Sequence, residues 1–536
     1  QDYRLDLQVV PRRNMKIPDQ ILISTFINLT TVFGARIIAI FLYPSVSHQM
    51  YYRALMIELH SRGHEIVIFT THPTSNTSFI NYTQIDLSNM IPIWINSVKY
   101  YKNKQEGKTS INSISFFGNI ITEMCKVLFD MQELKRLRLG KILNGTFDLV
   151  MTSWHLNPCT YGFAYHFSAP LIGISSLGLF YEGHRSIGNP THPIYSMEIF
   201  QPYLKQPTFW EKLERLEYYI WNIWWWHSVI VPQQDKIARQ YFGKNMPYLE
   251  DLKNNVSLVF TAVQTNYYAA VPKVPVLVEL GPLHIKESKP LPKDLQVYLD
   301  RAESGAIYFS LGTNVRSDKM SEEKITMFLE VFAQLKDFRI IWKWDGDENP
   351  ELPPNVKIEK WFPQSDVLAH PKIKAFIYQC GLQSTEEAIN FQVPVIGFPF
   401  TVDQNVNIKR ITDFQAGIKL DINTVTKDIL LQALNAIIFE PKYKWNMKRL
   451  SGISRDQPET PMERAVWWTE YVIRHKGAPH MRSLTMDLTW YDYFMLDVVA
   501  FSIVALFLIV WIIYYVCNQI VRKCILLLFN IKQKQQ

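Results

Sequence analysis

The stretch densest in groups that could do chemistry begins Trp361-Phe-Pro-Gln364-Ser-Asp366-Val-Leu-Ala-His370-Pro371. It resumes at Gln379-Cys-Gly381-Leu-Gln383-Ser384-Thr-Glu-Glu387-Ala and closes at Pro399-Phe-Thr-Val-Asp403-Gln404. Within 44 residues it offers an aromatic face, amides, hydroxyls and carboxylates, a mixture suited to a polar ligand. Far upstream, Pro44-Ser-Val-Ser47-His48-Gln sets a single histidine at a helix start, a place where a histidine is more often structural. His60-Ser-Arg-Gly-His64 has no companion Cys or Asp at metal-ligand spacing, and His64-Glu65 opens a strand. No Walker A loop and no GxSxG elbow is present.

These residues need elements to position them. Ile37–Leu42 is a short apolar run that predicts a buried strand. Ser47 can cap a helix over 48–62, with Tyr51, Ala54, Leu55 and Leu59 on its apolar face and Gly63 ending it. Glu65–Phe69 is the next strand, which makes a βαβ unit and hence a parallel sheet. Asp148–Met151 is another strand candidate. A linker follows at Val271-Pro-Lys-Val-Pro275, with further prolines at 282, 290 and 292. A second α/β series succeeds it. Ile307–Ser310, Arg339–Lys343, Val356–Glu359, Ala375–Tyr378 and Val395–Gly397 read as strands; Ser321–Lys336 and Gln383–Asn390 read as helices. Two such halves place a cleft between them, with ligand beyond the carboxyl ends of the strands. Residues 198–243 are rich in aromatics, including Trp210, Trp221, Trp224, Trp225 and Trp226; core packing, a membrane-interface helix and the wall of a lipophile site are all open readings.

Composition narrows the class. The chain has 536 residues, 48% apolar and 20% charged, a globular profile too long for one ordinary domain. The net charge of +7 is spread thinly, with no run of five basic residues, so no nucleic-acid partner is expected. The 5 cysteines are too few and too scattered for a disulfide framework or a zinc module. From Met15 the chain reads as a secretory signal with cleavage before Ala35; residues 1–14 read as leader text. Val498–Cys517 is 20 residues without a charge, long enough to span a bilayer. Arg522, Lys523, Lys532 and Lys534 beyond it predict a cytosolic tail, and the last two match a dilysine retrieval pattern. Sequons at Asn76, Asn81, Asn144 and Asn255 suit a lumenal body.

The 361–404 segment resembles the signature of the UDP-glycosyltransferases, the UDP-glucuronosyltransferase and UDP-glucosyltransferase family with the GT-B fold, and the look is nearest to invertebrate membrane-bound members. The resemblance extends through Phe309-Ser-Leu-Gly312-Thr, Trp342-Lys-Trp-Asp-Gly346, Arg474-His-Lys-Gly-Ala-Pro479 and Asp487-Leu-Thr-Trp-Tyr491. It implies an α/β GT-B architecture: two Rossmann-like domains facing a cleft, plus one C-terminal transmembrane helix. The expected division is leader and signal at 1–34, an acceptor domain at 35–270 and a donor domain at 271–440. C-terminal helices at 441–490, a membrane span at 494–517 and a tail at 518–536 follow.

The resemblance also implies roles. Trp361 would face the uracil, Gln364 the base edge, and Glu387 two ribose hydroxyls. Ser310, Gly312, Thr313, Gln379, Gly381, Gln383 and Ser384 would hold the diphosphate, helped by backbone N–H groups and helix dipoles. Asp403 and Gln404 match the pair that binds the donor sugar, and His48 matches the catalytic histidine. The reaction implied is an inverting hexosyl transfer, glucosyl or glucuronosyl, from a UDP-sugar to a small lipophilic acceptor at the endoplasmic reticulum membrane. UDP-sugar is a co-substrate, and no other cofactor is expected. Homo- or hetero-oligomers stay open. Asp345-Gly-Asp347 formally matches the metal-holding DxD of the other glycosyltransferase fold, but it reads as a loop, and no catalytic metal is expected.

Two departures stand out. Gln379-Cys380-Gly381 replaces the usual His-Gly-Gly or His-Cys-Gly, so an amide that cannot become charged takes the place of a histidine. In Phe147-Asp148-Leu-Val-Met-Thr-Ser153-Trp, Ser153 stands where the family has the carboxylate that orients the histidine. Asp148 lies too far upstream and His155 brings the wrong charge. Slowed or narrowed activity is expected, relieved by Ser153→Asp. The alternative is a catalytically weak homologue that binds UDP-sugar or lipophile or partners an active transferase.

Overall fold

The computed structural model describes residues 34–534 except 75–78, 104–109, 139–144, 197, 202–205, 267, 269 and 401. The leader and signal residues before Gly34 and the sequons at Asn76 and Asn144 therefore lie outside the described residues.

The first half is built on β1 (Arg36–Phe41), α1 (Val46–Ser61), β2 (Glu65–Thr70), β3 (Tyr82–Asp86), α2 (Ser110–Asp130), β4 (Leu149–Ser153), β5 (Leu171–Ser175), α3 (Phe209–Trp225), β6 (Val256–Thr261) and β7 (Leu277–Glu279). Its sheet has the order β3-β2-β1-β4-β5-β6-β7, and each pairing is parallel. The second half comprises β8 (Ala306–Ser310), α4 (Glu322–Gln334), β9 (Arg339–Lys343), β10 (Val356–Glu359), α5 (Gln364–Ala369), β11 (Ile373–Tyr378), α6 (Leu382–Asn390), β12 (Val395–Gly397), α7 (Gln404–Asp413) and β13 (Gly417–Lys419). Its sheet runs β10-β9-β8-β11-β12-β13, again all parallel. Among the further helices, two follow late in the chain and matter below, α8 (Pro461–His475) and α9 (Leu496–Lys534).

The strands are the buried centre of each half. Every residue of β4, β5, β6 and β8 is buried, as a parallel sheet covered on both faces requires. Both sheets reverse strand order at one place, between β1 and β4 and between β8 and β11. Crevices at the carboxyl ends of strands arise there. The helices begin where the residue types allow. Ser321 caps α4, accepting from the Lys324 amide at 3.4 Å. Thr460 and Glu463 form a reciprocal capping box on α8, with Pro461 in its first turn. From there α8 returns to the first half, where Glu470 meets His64 at 3.5 Å and Arg464 donates to the Glu279 carbonyl at 2.9 Å.

Several readings of the sequence shift. Helix α1 begins at Val46, so Ser45 rather than Ser47 takes the N-cap position and His48 sits in the first turn. The proline-rich stretch read as a linker contains β7, which pairs with β6 and belongs to the first sheet. Helix α9 does not stop at Cys517; it runs unbroken to Lys534, because no glycine or proline interrupts it. Its apolar part, Leu496–Leu528, is the one stretch among the described residues long and apolar enough to cross a membrane. At ~1.5 Å per residue the helix outreaches a ~30 Å hydrocarbon core, and its basic end lies beyond it. Helix α3 turns Arg215, Tyr218, Asn222 and Trp225 inward and leaves Phe209, Trp210, Leu216, Ile220 and Trp224 exposed.

One cross-link corrects the cysteine reading. Cys125 on α2 and Cys159 in the turn after β4 form a disulfide, with Cα atoms 6.3 Å apart. Their spacing in sequence hides a proximity that only the packing of α2 beside that turn creates. The 34-residue separation converts to about 3–4 kcal/mol of stabilisation by loop-entropy reasoning. A Cys125→Ala/Cys159→Ala variant is expected to lose that amount in denaturant unfolding of the first half; an unchanged midpoint would contradict the cross-link.

Candidate active site

The carboxyl ends of the strands in the second half carry the ligand-binding residue types. Ser310 ends β8, Gly312 and Thr313 follow it, and Gln379 to Gly381 leave β11 for α6. Gly381 is the N-cap of α6, so its first-turn N–H groups and positive dipole end face the cleft. A cavity of about 250 Å³ lies here, lined by Tyr308, Ser310, Gly312, Thr313, Trp361, Gln364, Ser365, Gln379, Gly381, Gln383, Ser384 and Glu387. From across the cleft Val46, Ser47 and Met50 of α1 complete it. Ten of the twelve donor residues read from the sequence are thus brought together, all but Asp403 and Gln404.

The polar groups are held by one another. Both carboxylate oxygens of Glu387 accept, one from Gln364 Nε2 at 2.5 Å and one from Ser365 Oγ. Gln364 Nε2 also reaches Ser384 Oγ at 2.8 Å, and Tyr308 donates to Gln364 Oε1 at 3.2 Å. A ribose could replace these donors without leaving the buried carboxylate bare. Trp361 keeps 55% of its surface exposed at the cavity rim, which leaves a flat face for a base. Lys343, which the sequence reading did not single out, also lines the cavity; its ammonium pairs with Asp345. Asp347 pairs with Lys360, so both carboxylates of the Asp345-Gly-Asp347 stretch are engaged by lysines.

Gly312 shows why that turn needs glycine. Its φ is +76°, and a Cβ there would lie 2.2 Å from Gln379 Nε2. The amide that stands where a histidine was expected is therefore packed over the turn after β8. Cys380 beside it also holds a positive φ of 68°, a conformation that non-glycine residues adopt at some strain.

Asp403 and Gln404 stand behind the cavity, where Gln404 Nε2 donates to Gln379 Oε1 at 3.5 Å. Gln404 Oε1 accepts from the Phe400 amide at 2.6 Å. Asp403 accepts from Asn407 Nδ2 at 2.7 Å and lines a neighbouring cavity with Glu198, Glu279 and Lys273. Burial raises its carboxyl to about 6.

In the first half, His48 stands at the opening of α1. Its Nδ1 meets Ser176 Oγ at 2.5 Å, and its ring packs 5.7 Å from Tyr43 and 5.9 Å from His155. Burial lowers the imidazole to about 4, and the positive end of α1 acts in the same direction. The ring is therefore neutral at pH 7 and able to accept a proton. Ser153 does not meet it as expected. Its hydroxyl accepts from Asn157 Nδ2 at 3.1 Å, and Asn157 Oδ1 in turn accepts from the His155 amide. Ser176, one residue past β5, fills that place; the sequence reading had no strand at β5 and so no strand end to inspect. An aromatic wall adjoins, Tyr43, Trp94, Phe117, Phe200 and Phe180, with successive rings 5.8 Å apart. Among the described residues, none of the α3 tryptophans lines either cavity.

Two hydrogen bonds cross the cleft beside the histidine. Gln383 Nε2 donates to the Ser176 carbonyl at 2.7 Å. Asn314 Nδ2 donates to Ser45 Oγ at 3.2 Å.

Known proteins resemble this chain in sequence and in fold. The family profile described as UDP-glucoronosyl and UDP-glucosyl transferase matches residues 39–530. UDP-glucosyltransferase 2 of Dactylopius coccus is 33% identical over 499 residues, 92% of this chain and 95% of that protein. Human UDP-glucuronosyltransferase 2B7 is 31% identical over 496 residues, covering 88% and 90%. Among solved structures, the spinosyn forosaminyltransferase SpnP superposes with a TM-score of 0.56 at 16% identity, and the calicheamicin glycosyltransferase CalG4 with 0.55 at 15%. Each covers 82% of this chain and 99% of its own. The expected GT-B architecture is thereby met.

The Gly312 turn gives a direct check. Gly312→Ala places a side chain at positive φ, which costs about 1–2 kcal/mol, and displaces Gln379 from the cavity. Thermal unfolding is expected to show a lower midpoint and a smaller upward shift on adding UDP; a UDP shift equal to that of the unaltered protein would remove Gln379 and this turn from the site.

Proposed function

The chain belongs to the family of UDP-glucuronosyl and UDP-glucosyl transferases, and from that premise we propose an inverting transfer of a hexose, glucose or glucuronic acid, from its UDP-sugar to a hydroxyl of a small lipophilic acceptor. The observation that carries this is the facing of two sites. The cavity with Trp361, Gln364, Ser384 and Glu387 on one side is closed on the other by the first turn of α1, which bears His48.

In this reading His48 Nε2 takes the acceptor's proton while the oxygen attacks the anomeric carbon. UDP leaves from the opposite face, so an α-linked donor yields a β-glycoside. Charge growing on the diphosphate is met by the amides opening α6 and by the Gln379 and Ser310 side chains. Trp361 and Glu387 hold the nucleoside, and the aromatic wall from Tyr43 to Phe180 suits a greasy acceptor. A base depressed to about 4 favours acceptors that surrender their proton readily, phenols above aliphatic alcohols. Glucose suits the cleft better than glucuronate: the one cationic lining residue, Lys343, is already paired with Asp345.

The same reading sets the body in the endoplasmic reticulum lumen, anchored as a type I single-pass protein by α9. Arg522 and Lys523 beyond the charge-free run Val498–Cys517, the exposed sequon residues Asn81 and Asn255, and the Cys125–Cys159 disulfide all support it. A second reading, a weak homologue that binds without turning over, draws on the serine found at Nδ1 of His48 where the family has a carboxylate.

The test is UDP release by membranes carrying the full chain, with UDP-glucose or UDP-glucuronate and a panel of phenols. Acceptor-dependent release is expected, falling about 10²-fold or more in His48→Ala. The base works as the neutral imidazole, and its protonation lies near 4. Release should therefore stay level from neutral pH down to about pH 5 and fall only below. Absent release with UDP still raising the unfolding temperature would favour the second reading.

A further inference from the structure

The groups behind His48 form one buried chain. Ser176 Oγ donates to Tyr52 Oη at 3.0 Å. Tyr52 Oη lies 3.3 Å from His155 Nδ1, and His155 Nε2 lies 2.7 Å from Ser175 Oγ. Ser175 Oγ in turn lies 2.9 Å from the Leu177 carbonyl and 3.1 Å from that of Gly178. Ser175, Ser176, Tyr52 and His155 are all buried.

One direction of this chain leaves His48 able to act as a base. A carbonyl only accepts, so in that direction the Ser175 hydroxyl donates outward to Leu177 and Gly178. It then accepts from His155 Nε2–H. That leaves His155 Nδ1 as an acceptor for the Tyr52 hydroxyl, Tyr52 as an acceptor for Ser176, and Ser176 as an acceptor for His48 Nδ1–H. Each step follows from the one before. At the far end this leaves His48 Nε2 as the unprotonated ring nitrogen.

We propose that Ser176, Tyr52, His155 and Ser175 form an uncharged orienting relay that replaces the absent carboxylate, with Ser176 as the positioning residue that fixes the tautomer of His48. No proton needs to pass along it. Its carbonyl anchors let it hold Nδ1–H as a carboxylate would, without offsetting the charge of the imidazolium. Ser153 serves one step behind, through Asn157 and the backbone of His155. Ser176 is also held from the donor half, since its carbonyl accepts from Gln383; base orientation and cleft closure thus meet in one residue. The titratable groups around His48 are Tyr43 ahead of α1, Tyr52 within it and His155 after β4, and none of them is a carboxylate.

This inference rests on the proposed transferase reading, and its test separates the two. Full-length protein in membranes is assayed for UDP release with one phenol across pH, beside UDP-induced thermal protection. Ser176→Ala is expected to lower kcat about tenfold with donor KM and UDP protection unchanged. Tyr52→Phe should lower kcat in the same direction, and the double variant should be no slower than Ser176→Ala alone, because both cut one chain. Ser176→Asp should move the acid limb of the pH profile upward toward neutrality, a change that a merely structural serine would not produce. If Ser176→Ala fails to fold, as lost UDP protection would reveal, Tyr52→Phe decides: a lowered kcat supports the relay and an unchanged one overturns it. An unchanged kcat in Ser176→Ala with His48→Ala inactive overturns the relay and leaves the transferase reading standing. An unaltered protein that releases no UDP removes both.

Discussion

Parallel strands all finish at one edge, and that edge collects backbone groups the ladder cannot pair. Here two such edges face each other, and the molecule is arranged around that meeting. Each sheet offers the crevice beside its own switch point, one holding His48 and Ser176, the other Ser310, Gln379 and Gly381. The polar groups these edges expose could be satisfied by water. Instead Gln383 reaches the Ser176 carbonyl and Asn314 reaches Ser45. The cleft is therefore stitched at the points where chemistry would occur, and the cavity beside them is left for a ligand whose hydroxyls and phosphates can take over the remaining contacts.

Within that frame charge is scarce on one side and managed on the other. Around His48 the named partners, Ser176 and Tyr43, carry no charge, and burial depresses the imidazole with no carboxylate beside it to offset that. In the donor half, Glu387 is wrapped by Gln364 and Ser365, and Lys343 is tied to Asp345. A buried charge without a partner would be costly, and each of these has one. The departures from the family pattern share this character. Gln379 in place of a histidine and a serine in place of a carboxylate both exchange ionisable groups for hydrogen-bonding ones.

Much of the donor side was legible in the sequence because it is local. Trp361, Gln364, Ser384 and Glu387 fall on α5, α6 and the turns beside them, so their spacing along the chain carries their arrangement in space. The strands flanking them are short apolar runs with clear ends. The surroundings of His48 were not legible, because Ser176 lies 128 residues away along the chain. Its side-chain direction depends on the register of β5, a strand with little to distinguish it in composition. Position 153 drew attention by resemblance alone, whereas the fold turns its hydroxyl toward Asn157. Asp403 and Gln404 belong to the same motif as Glu387, yet they do not line the cavity themselves: their side chains meet Asn407, the Phe400 amide and, through Gln404, the cavity residue Gln379. The Cys125–Cys159 bond and the length of α9 were missed for the same reason. One depends on tertiary packing, and the other on the absence of any residue that stops a helix.

The return of α8 to the first half sets the mechanics of the whole. Because α8 packs there before the chain enters α9, and because Thr485 reaches the Gly188 carbonyl at 3.4 Å, the long apolar helix α9 is joined to the first half. The second half hangs from that frame by the chain segments around it and by the Gln383–Ser176 and Asn314–Ser45 contacts across the cleft. Any opening of the cleft then turns the half that bears Trp361 and Glu387 about a frame made of the first half and α9.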